Sequence, residues 1–338
     1  MTWSEIDWSI LDRLREGFIS GAAANGPYWQ SSADLAHYDF TYAERIGWKW
    51  DAVLDELAAR AWSPAPGLIV DWGCGSGIAS RRVLARWPAL VTTSQLRLAD
   101  HSTAAVDFAT DRARRTFPGL EVAPFNAAAA EPVATLVVSH VLNELNPTQS
   151  AELFALMARA QTVIWVEPGT SDVAARLIRA REELRHTFRV ILPCPHQGPC
   201  GLLDPANERD WCHHYAKAPK GIYADADWVR FGQRAGVDLR SLPYACLVLE
   251  NQAHDRRHAE MPEGAARILA RPQFFKPYAR LLSCEAPGVS FETIPKRKAA
   301  PLLKALEKTR GPLLYQWTRD GGVIVAGHAL VPDDSLVP

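Results

Sequence analysis

Three cysteines and three histidines fall within 24 residues, LPCPHQGPCGLLDPANERDWCHHY at positions 192–215. Cys194, Cys200 and Cys212 follow a C-x5-C-x11-C spacing, with Pro195 behind the first. Thiolates this close in sequence suit a metal centre, because a tetrahedral zinc site or an iron–sulfur cluster needs four such donors. The fourth donor stands open between His196, His213, His214, Cys246 and Cys284. Three reduced, packed cysteines are the alternative reading, but a loop rich in proline and glycine offers little core in which to bury them.

A second stretch carries different chemistry. VDWGCGSGIASRRVL puts Asp71 at the end of an apolar run, then Gly73, Gly75 and Gly77, then a helical pattern. Glycines there let the backbone turn sharply and approach a ligand closely, and a helix N-terminus favours a negative ligand group. Asp100 ends the next apolar run, where its carboxylate can accept hydrogen bonds from ribose hydroxyls. Asn126 follows the third, LEVAPF, and is a candidate for an adenine edge. Cys74, inside the glycine turn, reads as packing. After the fourth run, SHVLNELNP holds His140 and Glu144 as candidate bases and Asn143 as a candidate orienting group. The same segment can equally line a pocket and do no chemistry. Asn146-Pro147 continues as Thr148-Gln149, so no Asn-Pro-Pro-aromatic tetrapeptide follows.

These residues need a scaffold, and the chain supplies a rhythm for one. Residues 1–62 read as helical, with apolar positions at three and four spacings in SILDRLREGF and ERIGWKWDAVLDELAARAW. SPAPG at 63–67 breaks that pattern. Short β-branched runs then alternate with helical segments: LIVDWG, LRLADH, ATLVVSHVL and TVIWVEPG predict strands of a parallel sheet covered by helices. A helix over SDVAARLIRAREELRHTF leads to the strand RVILP, which runs straight into Cys194. PYACLVLE reads as a further strand, with Cys246 in its middle as core. Asp320-Gly321 between apolar flanks predicts a hairpin. The expected domains are 1–62, a helical segment; 63–192, the sheet core; and 193–338, the cysteine insertion, the last sheet strand and a small β and basic region.

With 338 residues, 48% hydrophobic and 22% charged, the chain has enough apolar material for a large core. No apolar run reaches the roughly 18 residues of a membrane span, and the first residues lack a basic and apolar leader. Six cysteines, half of them in one loop, suit a reducing compartment, so the expected location is cytoplasmic. A net charge of −1 supplies no global field for nucleic acid, so any RNA contact must be local. Two basic segments qualify. IPKRKAAPLLKALEKTR carries Lys296, Arg297, Lys298, Lys304, Lys308 and Arg310 against one acid. ARLIRAREELRHTFR carries Arg176, Arg179, Arg181, Arg185 and Arg189, with Glu182 and Glu183 placed to pair with arginines along a helix.

The glycine turn resembles the first motif of class I S-adenosylmethionine-dependent methyltransferases. DWGCGSG, SHVLNEL, WVEPGT, CPHQGPC and DWCHH together resemble the methyltransferase-like proteins associated with the small ribosomal subunit, known in mitochondria and with bacterial relatives. The resemblance covers roughly residues 40–295. It implies an α/β fold: a class I methyltransferase (Rossmann-like) sheet with a helical N-terminal segment and a metal-stapled C-terminal part. It also implies S-adenosylmethionine at Asp71, Gly73, Gly75, Gly77, Asp100 and Asn126, contact with the small ribosomal subunit or its rRNA, and a 4Fe–4S cluster. The cluster cysteines carry over as Cys194, Cys200 and Cys212, and the match of LLSCEAPG makes Cys284 the fourth; Lys296, Arg297 and Lys298 are the expected RNA contacts. The sequence departs from the family where Gly201 follows Cys200 in place of proline, in a longer segment before Cys212, and where His214 replaces an aromatic residue. The expected activity is methyl transfer to rRNA. Its rivals are a non-catalytic assembly factor of the small subunit, and a zinc-containing methyltransferase of a protein or small molecule.

Overall fold

An aliphatic run closed by glycine on both sides can be buried on both faces as a central strand. Leu68–Trp72 is that strand in the computed structural model, which describes residues 1–20, 29–129, 131–254, 261–308 and 313–331. The helices are α1 (Trp8–Ser20), α2 (Ser32–Phe40), α3 (Tyr42–Ala59), α4 (Ile78–Arg86), α5 (Leu90–Thr93), α6 (Thr103–Thr116), α7 (Pro147–Met157), α8 (Ser171–Leu184), α9 (Ala226–Ala235) and α10 (Lys296–Lys308). The strands are β1 (Leu68–Trp72), β2 (Gln95–Ala99), β3 (Glu121–Pro124), β4 (Val133–Ser139), β5 (Ala160–Pro168), β6 (Phe188–Leu192), β7 (His214–Ala216), β8 (Leu242–Asn251), β9 (Ala265–Phe274), β10 (Tyr278–Glu285), β11 (Gly288–Pro295), β12 (Leu314–Asp320) and β13 (Val323–Ala329).

The chain forms two compact units, interleaved in sequence: 1–54, 63–167 and 216–242 make the first, and 55–62, 168–215 and 243–338 the second. In the first, β3, β2, β1, β4 and β5 lie side by side, all parallel. β4 and β5 are almost wholly buried, as strands covered on both faces must be. The crossover helices use ordinary end signals. Asn146 caps α7 and exchanges a capping box with Gln149, while Pro147 occupies the first turn, so NELNP is a helix start. The N-terminal segment is helical, and α1 and α2 meet α9 through a cluster that includes Leu11, Leu14, Phe40, Trp228 and Phe231. A buried ion pair ties α2 to the sheet helices: Asp39 accepts from Arg81, and from Arg112 at 3.0 Å.

In the second unit β6 and β8 pair antiparallel. Arg267 on β9 and Glu56 on α3 form a bidentate pair at 2.5 and 3.0 Å, both side chains buried, and Arg267 also donates to the carbonyl of Pro193. Five further strands form a separate sheet in the order β11-β10-β9-β12-β13, antiparallel throughout. The hairpin expected at Asp320-Gly321 joins β12 and β13. β9 and β11 escaped the sequence reading, because RILARPQF and GVSFETI alternate too weakly between apolar and polar residues. The α/β class expected from the sequence holds, with its helical N-terminal segment.

Candidate functional site

In the first unit the turn after β1 is built by its glycines. Gly73, Gly75 and Gly77 all have positive φ, at 72°, 52° and 75°. A side chain on Gly73 would strike Val141 at 2.4 Å and one on Gly77 would press on Ala109 at 3.0 Å, whereas one on Gly75 meets nothing within 4 Å. Space is therefore kept open over Gly75. Its amide donates to Asp100 Oδ2 at 2.9 Å, and the other oxygen of Asp100 accepts from Ser102. Each oxygen keeps a lone pair for a ligand hydroxyl. Asp71 lies under the turn, fully buried; Oδ2 accepts from Ser80 at 3.3 Å while Oδ1 has no partner. Burial pushes its carboxyl up to about 6. Asn126 stands on an exposed turn after β3, where its Oδ1 accepts from Ala128 and its amide nitrogen remains to donate. Burial also pushes the Cys74 thiol well up, which suits packing and not attack.

The segment after β4 begins with backbone strain, since His140 has φ +56°. Its amide donates to Val166, and Glu167 Oε1 accepts from Val141, Leu142 and the indole of Trp165. Glu167 thus shapes the loop, leaving Oε2 buried without a partner and its carboxyl raised to about 7 by burial. Lys49 Nζ lies 3.2 Å from His140 Nε2, and Ser139, which accepts from Trp50, lies 3.4 Å from Nδ1. Burial, then Lys49 and Arg45, hold the imidazole well below its usual range. Glu144 is half-buried and raised to about 7, mainly by burial, and Asn143 is exposed. Lys49 and Glu167 were missed by sequence reasoning. The available signal was Lys49 itself, a cation between two tryptophans in line with Val53 and Leu57 on the apolar stripe of α3.

Burial lowers the Lys49 ammonium to about 7, against 10.5 in an unfolded chain. Between these values the unfolded chain holds a proton that the folded one lacks, so Lys49 adds stability as pH rises through that window. From about pH 7.5 to about pH 9.5 the native protein is expected to gain about 2–3 kcal/mol relative to Lys49→Met. Urea unfolding of both proteins at the two pH values checks this; parallel responses would mean that the ammonium is solvated.

The second unit brings all the loop cysteines to one cavity. Cys194, Cys200, Cys212 and Cys284 line it with Cys246, and Arg181 and Arg267 stand at its wall. Arg181 corrects the sequence reading, which placed it in a basic segment open to RNA contact. It is buried, and donates to Cys194 Sγ at 3.1 Å and to the carbonyl of Gly198 at 2.7 Å. Glu182 pairs with Arg185 three residues on, as the helix spacing suggested, and also with its neighbour Arg181. Gln197 pins the loop to β6, its side-chain amide exchanging two 2.8 Å bonds with the backbone of Val190. His196 Nε2 lies 3.7 Å from Cys284 Sγ, and His214 Nε2 3.7 Å from Cys212 Sγ. His213 instead stacks on Trp211. Burial pushes the Cys200 thiol up to about 11 and holds those of Cys212, Cys246 and Cys284 high, with repulsion from neighbouring cysteines adding to it. Among the described residues no group of three or more His, Cys, Asp or Glu side chains is gathered as a single metal ion needs.

Lys296, Arg297 and Lys298 lie exposed at the start of α10, before a kink at Ala299. Lys298 is bonded to Asp320 at 2.7 Å, while Lys296 and Arg297 are exposed. Arg310 lies outside the described residues.

Residues 42–310 match the family described as mitochondrial small ribosomal subunit Rsm22. Comparison with curated protein sequences finds no match. Among solved structures the chain is similar to the plantazolicin methyltransferase BpumL in complex with a pentazolic desmethylPZN analog and SAH (11% identity, 73% of this chain, 100% of that one, TM-score 0.40). It is also similar to magnesium protoporphyrin IX methyltransferase from Synechocystis PCC 6803 with bound SAM (13%, 62% and 81%, 0.38). A third is PH1948 from Pyrococcus horikoshii, described as a proposed RNA methyltransferase (10%, 64% and 84%, 0.36). Among the described residues no helix is long and apolar enough to cross a membrane.

Proposed function

Because the chain belongs to the mitochondrial small ribosomal subunit Rsm22 family, we propose that it is an S-adenosylmethionine-binding, methyltransferase-like protein that works on the rRNA of the small ribosomal subunit. The observation that carries the cofactor is the glycine turn, with open space over Gly75, whose amide donates to the Asp100 carboxylate, and with a partnerless oxygen of Asp71 buried beneath the turn. Asp100 would take the ribose hydroxyls and Asn126 the adenine edge, and Asp71 would hold the turn and favour a cationic group above it. The bound cofactor supplies an electrophilic methyl group. Glu144, its carboxyl raised to about 7, is the better placed side chain to receive a proton from an acceptor, since the surroundings that keep His140 neutral also make it a weak base. Binding without transfer is a second reading, favoured by the engagement of His140 with Lys49; methyl incorporation from labelled cofactor separates the two.

For the cysteine cavity we prefer a 4Fe–4S cluster to zinc. A tetrahedral zinc ion draws its ligand atoms within about 4 Å of one another, and no such group is gathered. A cubane spreads four thiolates around a larger body. Five thiols surround one cavity, and two guanidiniums at its wall suit an anionic cluster. Cys194, Cys200, Cys212 and Cys284 would hold it, tying the loop to β10.

The ribosomal reading is tested by co-sedimentation with small subunits across a salt series. Binding is expected to fall with a log–log slope of about −0.7 to −0.9 per phosphate contacted. Reversal of Lys296, Arg297 and Lys298 to glutamate should flatten that slope, with Lys298 contributing least. Native protein that fails to sediment with the subunit at low salt would remove the ribosomal reading, and an unchanged slope in the reversed protein would remove these contacts.

A further inference from the structure

The five strands at the end of the chain have a recognisable order. β9 is central, paired with β10 and β12; β10 pairs with β11 and β12 with β13, and α10 lies between β11 and β12. β11 and β13 come alongside each other, so the sheet curls into a partly open barrel. Its interior is filled by Ile268, Leu281, Ile294, Trp317 and Ile324, with α10 contributing Leu302 and Leu306. Five strands in this order with a helix after the third is the oligonucleotide/oligosaccharide-binding fold, whose second and third strands and first hairpin loop receive single strands.

The side chains on that surface are of the kind such a ligand needs. In register across β9, β10 and β11, Gln273, Arg280 and Thr293 form one row; in the next, Leu269 and Leu282 are buried against Ile178 and Leu202, and Phe291 at the β11 end is exposed. Phe291 is 48% exposed, and the Arg280 guanidinium lies over its ring at 3.8 Å. In the β9–β10 hairpin Phe275 is 47% exposed and stacks on Tyr278 at 4.8 Å, beside the exposed Lys276. The amide of Lys296 donates to Pro277, which sets the basic start of α10 next to this hairpin. The two rows hold no carboxylate. Glu285 and Glu292, near the face, are both paired with Arg319. Exposed rings cost solvation in water and are useful when bases cover them, while guanidinium and ammonium groups meet phosphates.

We propose that the outer face of β10 and β11, with the β9–β10 hairpin, binds single-stranded RNA by stacking bases on Phe275 and Phe291 while Arg280, Lys276 and Lys296 hold the backbone. The choice of RNA rests on the small-subunit reading. Unpaired bases are specified because a duplex hides the ring faces that these aromatics would meet.

Fluorescence anisotropy with the full chain, a labelled unstructured RNA of about 12 nucleotides and the same RNA annealed into a duplex tests the site. Native protein should prefer the single strand. Phe275→Ala and Phe291→Ala should each weaken it by about 5- to 100-fold, Arg280→Glu should weaken it and flatten the salt dependence, and cofactor binding should stay native in all three. Photocross-linking of thiouridine-bearing RNA to the native protein should label peptides within 274–280 or 288–295, which decides the matter if a variant fails to fold. Native-like affinity in a folded Phe275→Ala/Phe291→Ala protein, or cross-links elsewhere, would overturn this site while leaving the chain an RNA binder. If the native protein binds small subunits but no single strand, the face is likewise refuted; failure to bind either would take the ribosomal reading with it.

Discussion

Protein purified without oxygen is expected to be brown and to contain iron and sulfide, and Cys284→Ser is expected to lose most of both. The thiols of Cys200, Cys212, Cys246 and Cys284 sit where burial disfavours their ionised form, so in the absence of positive charge this pocket would hold them as neutral, weakly packed groups. An iron–sulfur cluster would supply that charge, and its binding would then contribute to folding of the loop, because metal binding and ordering of its ligands are one equilibrium. Cys284 is the preferred fourth ligand on position: it belongs to the apolar cluster against which Cys200 and Cys212 pack. Cys246 instead feels the buried pair of Glu56 and Arg267 most strongly among its charged neighbours. Loss of the cluster should expose the 194–212 loop to protease while the first unit keeps its cofactor affinity. Colourless protein with one equivalent of zinc would sink the cluster. A Cys246→Ser protein that loses its iron while Cys284→Ser retains it would reverse the assignment of the fourth ligand.

Gly75→Arg should abolish S-adenosylmethionine binding, with a loss of at least about 100-fold in affinity, nearly 3 kcal/mol. Two effects of the substitution must be separated. A side chain at φ +52° costs about 1–2 kcal/mol of folding free energy wherever its atoms point. Gly75→Ala carries that cost alone, since its methyl would meet no atom of the protein within 4 Å. The arginine adds bulk to the open space above the turn and a cation where the ligand must lie. Gly75→Ala should therefore unfold at lower urea yet keep much of its affinity, and Gly75→Arg should unfold similarly and bind nothing. At Gly73 even alanine should fail to fold, as its methyl would overlap Val141 at 2.4 Å. Titration calorimetry reads the first two. No heat with native protein would remove the cofactor, and equal binding by Gly75→Arg would move its site elsewhere.

The parts of the molecule written in local pattern were legible without coordinates. Period-two and aliphatic runs located β1, β2, β4, β5, β6 and β8, and three- and four-residue spacing located the N-terminal helices, since these signals arise within a few residues of one another. Gly73, Gly75 and Gly77 could be read the same way: only glycine accepts that turn at little cost. The crowding of Cys194, Cys200 and Cys212 was likewise visible, being a property of spacing.

Tertiary structure alone decided the rest, because it joins residues far apart in the chain. Cys246 reads as mid-strand core in sequence, yet it shares a cavity with Cys284 and the loop cysteines. Arg181 reads as one arginine among several on a helix, and only the return of the loop beside α8 gives it Cys194 and Gly198 as partners. Lys49 comes within 3.2 Å of His140 across 91 residues, and burial between α3 and the end of β4 changes its basicity. The C-terminal barrel depends most on long-range pairing. Its strands alternate weakly, and their meaning lies in which neighbour each one chooses; that choice is set by closing a core around Trp317 and Leu281, a condition no single segment carries.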